Sequence, residues 1–121
     1  MFLLTLYWLL FPILWIFLPV FAIFNPKIRH HWLHGRVSIK SARVKIQLDA
    51  KSRTVVLFHA ASTGEFEQLQ PVLKKMDRSR YFILLSFSSP TVFKPEKDTP
   101  LADAVCYHPF DFPWSALLFF R

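Results

Sequence analysis

Glu65 is the residue whose setting most invites chemistry. It closes the run Ser62-Thr63-Gly64-Glu65, directly after the apolar stretch Thr54-Val55-Val56-Leu57-Phe58 and just ahead of Phe66, Leu69, Val72, Leu73 and Met76, which recur at helical spacing. A carboxylate on a strand-to-helix turn is held where it could deprotonate an incoming hydroxyl as a general base. The same four residues also fit a helix capping box, with Ser62 as N-cap and Glu65 reaching back to the Ser62 backbone. The pattern leaves both roles open. His59, ending the strand, is an alternative base or a satisfied core histidine, and Asp111 in His108-Pro109-Phe110-Asp111-Phe112-Pro113 reads more as a loop brace than a reactant. His30, His31 and His34 could ligate a metal, although a solvated interfacial face accounts for them more simply. The lone cysteine, Cys106, excludes an intramolecular disulfide framework, and two glycines exclude phosphate loops of the G-x-G-x-x-G type.

These residues need a scaffold, and the rest of the chain supplies one. Tyr81 to Phe87 is a second apolar strand, too continuous to be half exposed, and Ala104 to Tyr107 a shorter third. Pro71 would kink the intervening helix or mark a later start, and Ser115 to Phe120 can open a further helix. Strands separated by helical segments imply an α/β fold with parallel strands. Ligands of such sheets collect at the loops following the carboxyl ends of strands, here 59–65, 86–91 and 107–113.

Three segments of different character make up the 121 residues. Residues 1–24 carry no charged side chain and eight aromatics; as a helix they would span about 36 Å, enough for a hydrocarbon core of about 30 Å. No Lys or Arg precedes this run and no A-x-A site follows it, which argues against a secretory signal peptide. Pro12 and Pro19 would kink it, and a kinked, aromatic-rich helix also suits a segment lying in one leaflet. Residues 25–53 hold eight basic groups against Asp49 alone, which accounts for the whole net charge of +7; residues 54–121 are balanced. Positive charge directly after an apolar segment places that side in the cytoplasm and attracts anionic membrane lipid. Trp32 and the histidines interleaved with cations could suggest nucleic acid, but lipid headgroups explain a cluster beginning within three residues of the apolar run better, so no nucleic-acid partner is expected. The organisation expected is therefore a membrane anchor over 1–24, a basic juxtamembrane connector over 25–53 and an incomplete Rossmann-like domain over 54–121. With 53% hydrophobic and 19% charged residues, disorder as the overall state is excluded.

The run Leu57 to Glu67, with His59, Ser62, Gly64 and Glu65, resembles the H-x-x-S-x-G-E block of bacterial 3-deoxy-D-manno-octulosonic acid (Kdo) transferases. Pro71-Val72-Leu73 resembles the proline of that family's following helix. Ile83 to Pro90 is similar to its second strand and Ser/Thr-Pro turn, and Pro109-Phe110-Asp111-Phe112-Pro113 to its P-L-D-x-P loop. The hydrophobic start and the stretch from Asn25-Pro26-Lys27 to Gly35-Arg36 resemble its membrane anchor and basic connector. The resemblance implies a GT-B glycosyltransferase that transfers Kdo from CMP-Kdo to a lipid A precursor at the cytoplasmic face of the inner membrane, inverting the anomeric centre, without metal or other cofactor. It implies Glu65 as the base, Ser62 and Gly64 as shapers of its turn, and Ser88, Ser89 and Pro90 as lining of the acceptor side. Two departures stand beside it. Pro95 and Pro100 argue against a regular helix after Pro90, and the family's C-terminal donor domain would lie beyond Arg121, so this chain is expected not to turn over by itself. The other expectation is a non-catalytic, membrane-attached binding module.

Overall fold

A strand buried on both faces must be apolar along its whole length, and Tyr81–Phe87 is the middle strand of the sheet. In the computed structural model, which describes residues 1–110 and 112–120, β1 (Thr54–Ala60), β2 (Tyr81–Phe87) and β3 (Ala104–Tyr107) pair in parallel in the order β1-β2-β3. Thr54 stands opposite Tyr81, and Leu84 opposite Ala104. Alternate residues of β2 serve opposite faces. Ile83, Leu85 and Phe87 pack with Phe66 and Leu73 of α3 (Thr63–Lys75) and Val92 and Phe93 of α4 (Pro90–Glu96). Phe82 and Leu84 pack with Ala104 and Cys106 against Ile39 and Ala42 of α2 (Pro26–Lys45), Ile46 and Ala50 of the π-helical turn Ile46–Ala50, and Phe119 of α5 (Pro113–Phe119). Helices thus cover both faces of a small parallel sheet, an α/β arrangement.

The charge-free N-terminus forms one helix, α1 (Phe2–Phe24), long and apolar enough to cross a membrane by length and composition. It ends at Asn25, whose extended backbone breaks the helix while its side chain accepts from the N–H groups of Lys27 (2.9 Å) and Ile28 (3.3 Å). Pro26 follows at the first helical position, where a missing N–H is harmless. The basic stretch read as a connector is therefore largely helical: α2 lies against the sheet beside β3, and the hydroxyl of Ser38 accepts from the Tyr107 N–H at 3.0 Å. Small residues permit that approach. A Cβ on Gly35 would stand 3.2 Å from the His31 ring and 4.0 Å from Tyr107.

The prolines break less than expected. α3 runs through Pro71, and a helix does form after Pro90 despite Pro95. Ser89 caps this short helix and Pro90 fills its first position, so Pro95 forfeits one bond near an end that is finishing in any case. Asp111 lies outside the described residues.

Candidate functional site

The carboxyl ends of the three strands form one rim, and every candidate residue except Asp111 can be placed on or near it. β1 extends through His59 and Ala60 before turning into α3. There Ser62, extended, accepts from the Glu65 N–H at 3.3 Å, while Glu65 Oε2 accepts from the Ala61 N–H at 2.7 Å. This is the reciprocal cap anticipated from the four residues, with one difference: Glu65 reaches one residue further back, to Ala61 rather than Ser62. The carboxylate is exposed in the first turn of α3, where the helix dipole favours negative charge. Among the described residues only the Ala61 N–H binds it, which leaves Oε1 open to an incoming group.

Gly64 is the residue expected to help shape this turn. It sits inside the first turn of α3 with ordinary backbone, and nothing stands within 4 Å of where its side chain would be. No turn requires glycine here; what its absent side chain leaves is open space beside Glu65.

The second and third loops meet α2. Ser88, Ser89 and Pro90 after β2, His108, Pro109 and Phe110 after β3, and Asn25, Lys27, Ile28 and His31 at the start of α2 line a cleft of about 490 Å³. Ser89 is partly committed, since its hydroxyl caps α4 through the Thr91 N–H at 3.3 Å. The lining does not include Glu65, Ser62 or Gly64; that turn stands apart on the β1 side of the rim.

His59 connects the two places. Its Nδ1 lies 3.0 Å from the Ser86 hydroxyl and its Nε2 3.3 Å from the Ser88 hydroxyl. Ser86, fully buried, also lies 3.4 Å from His108 Nδ1 and donates to the Phe58 carbonyl at 3.4 Å. His59 thus meets two hydroxyls while its side chain stays exposed on the rim, so it is hydrogen-bonded but not a core residue.

Sequence reasoning missed the contribution of α2. His31 was grouped with a solvated or metal-binding cluster, yet it is buried between Tyr107 and Phe110, ring centroids 4.4 and 4.2 Å away, and its Nε2–H donates to the His108 carbonyl at 2.7 Å. Burial lowers its pKa, only partly offset by that hydrogen bond. His30 turns instead to the Tyr107 hydroxyl at 2.8 Å. His34 lies against His30 with ring centroids 4.3 Å apart, but His31 turns away to His108, and among the described residues no group of three or more His/Cys/Asp/Glu is arranged to hold a metal. Burial pushes the Cys106 thiol up to about 12, so it is no nucleophile at neutral pH. The one available signal for α2 was Asn25-Pro26, an N-cap followed by an N1 proline.

Among the described residues the rim therefore offers an exposed carboxylate with an open oxygen and, apart from it, a cleft of hydroxyl, imidazole and ammonium groups suited to a polyhydroxylated or anionic ligand. Comparison with known proteins adds one finding. A family model for a glycosyltransferase N-terminal domain, described as 3-deoxy-D-manno-octulosonic-acid transferase (kdotransferase), matches residues 26–121. Neither the curated proteins nor the solved structures contain a match to the chain.

Proposed function

The chain belongs to the family of the Kdo transferase N-terminal domain, and from that premise we propose that it is the acceptor-side part of an inverting glycosyltransferase of lipopolysaccharide synthesis, with Glu65 as general base. In this reading the three-stranded sheet is part of a Rossmann-like half of a GT-B enzyme. A lipid A precursor is the acceptor, and CMP-Kdo the donor, bound chiefly by a C-terminal domain. α1 attaches the chain to the cytoplasmic face of the inner membrane, where the basic residues of α2 meet anionic lipid. No metal or other cofactor is assigned a role.

The observation that carries the proposal is the state of Glu65. Its Oε2 is fixed by the Ala61 N–H at 2.7 Å while Oε1 stays open on the rim. A base needs a defined position and an accessible lone pair, and this cap supplies the first without removing the second. The acceptor hydroxyl gives its proton to Oε1 as its oxygen bonds to the anomeric carbon of Kdo and the bond to the CMP phosphate breaks. Ser88, Ser89 and Pro90, with His108 and Lys27, line the separate cleft on the same rim for the acceptor's polar groups.

The test is transfer of Kdo from CMP-Kdo to a lipid A precursor by a two-domain enzyme carrying this chain as its N-terminal part. Glu65→Gln keeps an oxygen for the Ala61 N–H and removes the basic group, so turnover should fall about 100-fold or more with folding intact. Unchanged turnover would favour the second reading, a membrane-attached binding module without chemistry, which draws on the same hydrogen bond because a pure cap needs nothing further from Glu65.

A further inference from the structure

α1 is apolar on every side, yet it is not free of the folded unit. Phe11 and Trp15 hold Trp114 edge-on at centroid distances of 4.9 and 5.8 Å, and Phe112 stacks on Trp114 at 5.7 Å. Phe11 is buried in this seam while most of the helix around it is exposed. At 1.5 Å per residue, Trp15 and Phe11 lie about 14 and about 20 Å along the axis from Phe24, where α1 passes into basic α2.

That distance decides how α1 can sit in a bilayer. Upright, it would carry Trp114 to the middle of a hydrocarbon core about 30 Å thick. Of the residues leading to Trp114, His108, Pro109, Phe110 and Phe112 have irregular backbone, and the His108 carbonyl is bound by His31. At the other end of α5, the Leu118 carbonyl accepts from the Arg43 guanidinium. Lipid-exposed irregular backbone does not occur in hydrocarbon, because its polar groups have no partners there, and a guanidinium seeks the headgroups.

We infer that α1 does not cross the membrane: it lies within the cytoplasmic leaflet beside α5, and the two helices form one membrane-embedded face. The occupant of that face is an anionic bilayer. α5 supplies Leu117 and Leu118, and Phe120 follows it; they are 69%, 60% and 69% exposed. α2 supplies the complementary charge through Lys27, Arg29, Arg36, Lys40 and Arg43, all exposed and following directly on α1. The inference rests on the membrane attachment proposed above and adds its geometry: both termini of α1 on one side, and α5 as a second point of insertion.

The experiment is thiol labelling of the full chain in membranes of a Gram-negative host. Phe2→Cys and, separately, Leu118→Cys are placed in a Cys106→Ala background and treated with an impermeant maleimide. Residue 2 should label in inverted vesicles, which expose the cytoplasmic face, and stay unlabelled in right-side-out vesicles; Leu118→Cys should be shielded in membranes and label once detergent is added. Labelling of residue 2 from the periplasmic side would leave membrane attachment standing and overturn the in-leaflet geometry. Recovery of the chain in the soluble fraction would overturn the attachment itself. As a second measurement, Leu117→Glu/Leu118→Glu should weaken partition into 3:1 phosphatidylethanolamine:phosphatidylglycerol vesicles at least about tenfold, with the urea unfolding midpoint unchanged. Undiminished partition overturns the role of α5.

Discussion

The two ends of the sheet each hold an acidic side chain, and the chain treats them oppositely. At the end where the strands begin, Asp103 Oδ1 accepts from Arg53 at 3.1 Å and Arg78 at 2.8 Å, and Oδ2 accepts from the Ile83 N–H at 2.7 Å. These partners precede or belong to all three strands, so one carboxylate ties the start of the sheet together. Burial alone would raise its pKa, but the hydrogen bonds from Arg78, Ile83 and Arg53 outweigh it and hold the carboxyl below the usual range. At the end where the strands finish, Glu65 has one backbone partner among the described residues, which leaves an oxygen open. A saturated carboxylate has no capacity left for a substrate; a half-satisfied one has. The difference separates a structural acid from a candidate reactive one within the same sheet.

The largest expected effect tests whether Glu65 differs in kind. In a two-domain enzyme carrying this chain, Glu65→Gln should lower kcat for the proposed Kdo transfer about 100-fold or more and leave the urea midpoint where it was. Glu65→Ala should lose activity to the same degree and, in addition, about 0.5–1 kcal/mol of stability with the cap. If the two variants lose activity only in proportion to stability, Glu65 is a cap alone and the contrast with Asp103 collapses.

Asp103→Ala should show the reverse profile. Removing the hub leaves two cations and the Ile83 N–H without their acceptor, at a cost of about 2 kcal/mol given the partial exposure of the cluster, read as a shift in the urea midpoint. The pH dependence follows from the lowered pKa. The unfolded chain takes up the proton first, so the stability Asp103 contributes is present above the ordinary aspartate value of about 3.9 and is lost as pH falls through the lower folded value. Asp103→Asn should remove that acid-side slope.

His31 supports the finishing end from α2 and should matter less. Its folded pKa lies below the ordinary value of about 6.5, so its contribution is present above that value and declines as pH drops through the lowered one. His31→Phe keeps the stack on Tyr107 and Phe110 but leaves the His108 carbonyl without its donor. It should cost about 1 kcal/mol at pH 7.5 and flatten the stability slope between pH 7 and 5.

How far the sequence foretold this contrast depends on the range of the interactions. β2 and β3 lie where the apolar runs are, because a strand buried on both faces writes its burial into consecutive residues. The Ser62–Glu65 cap was also legible, since both partners fall within one helical turn. Asp103 was not: its partners Arg53 and Arg78 stand 50 and 25 residues away in the chain, and no local pattern couples them. α2 was obscured for another reason. The eight-to-one charge excess of residues 25–53 spoke of a membrane surface, while α2 meets this face of the sheet through as few apolar side chains as Ile39 and Ala42. The cleft borrows three residues from that helix and its N-cap Asn25, so its outline could not be drawn from the strand loops alone.

The smallest expected effect is the one that separates fold from function most cleanly. Gly64 has ordinary helical backbone, and a Cβ there would meet nothing within 4 Å. Alanine is the better helix former, since it avoids the backbone entropy that glycine loses on ordering. Near a helix end the gain is modest, so Gly64→Ala should stabilise the chain by about 0.5 kcal/mol, measured as a small rise in the urea midpoint. Among the described residues nothing stands close enough to oppose that change. If Gly64→Ala also raises the KM for the lipid A precursor, the space beside Glu65 is occupied by the acceptor during the reaction, and the glycine serves the ligand rather than the turn. If activity rises with stability instead, the acceptor approaches Glu65 from the side of the Ser88–Pro90 cleft, and the open space above α3 is plain solvent.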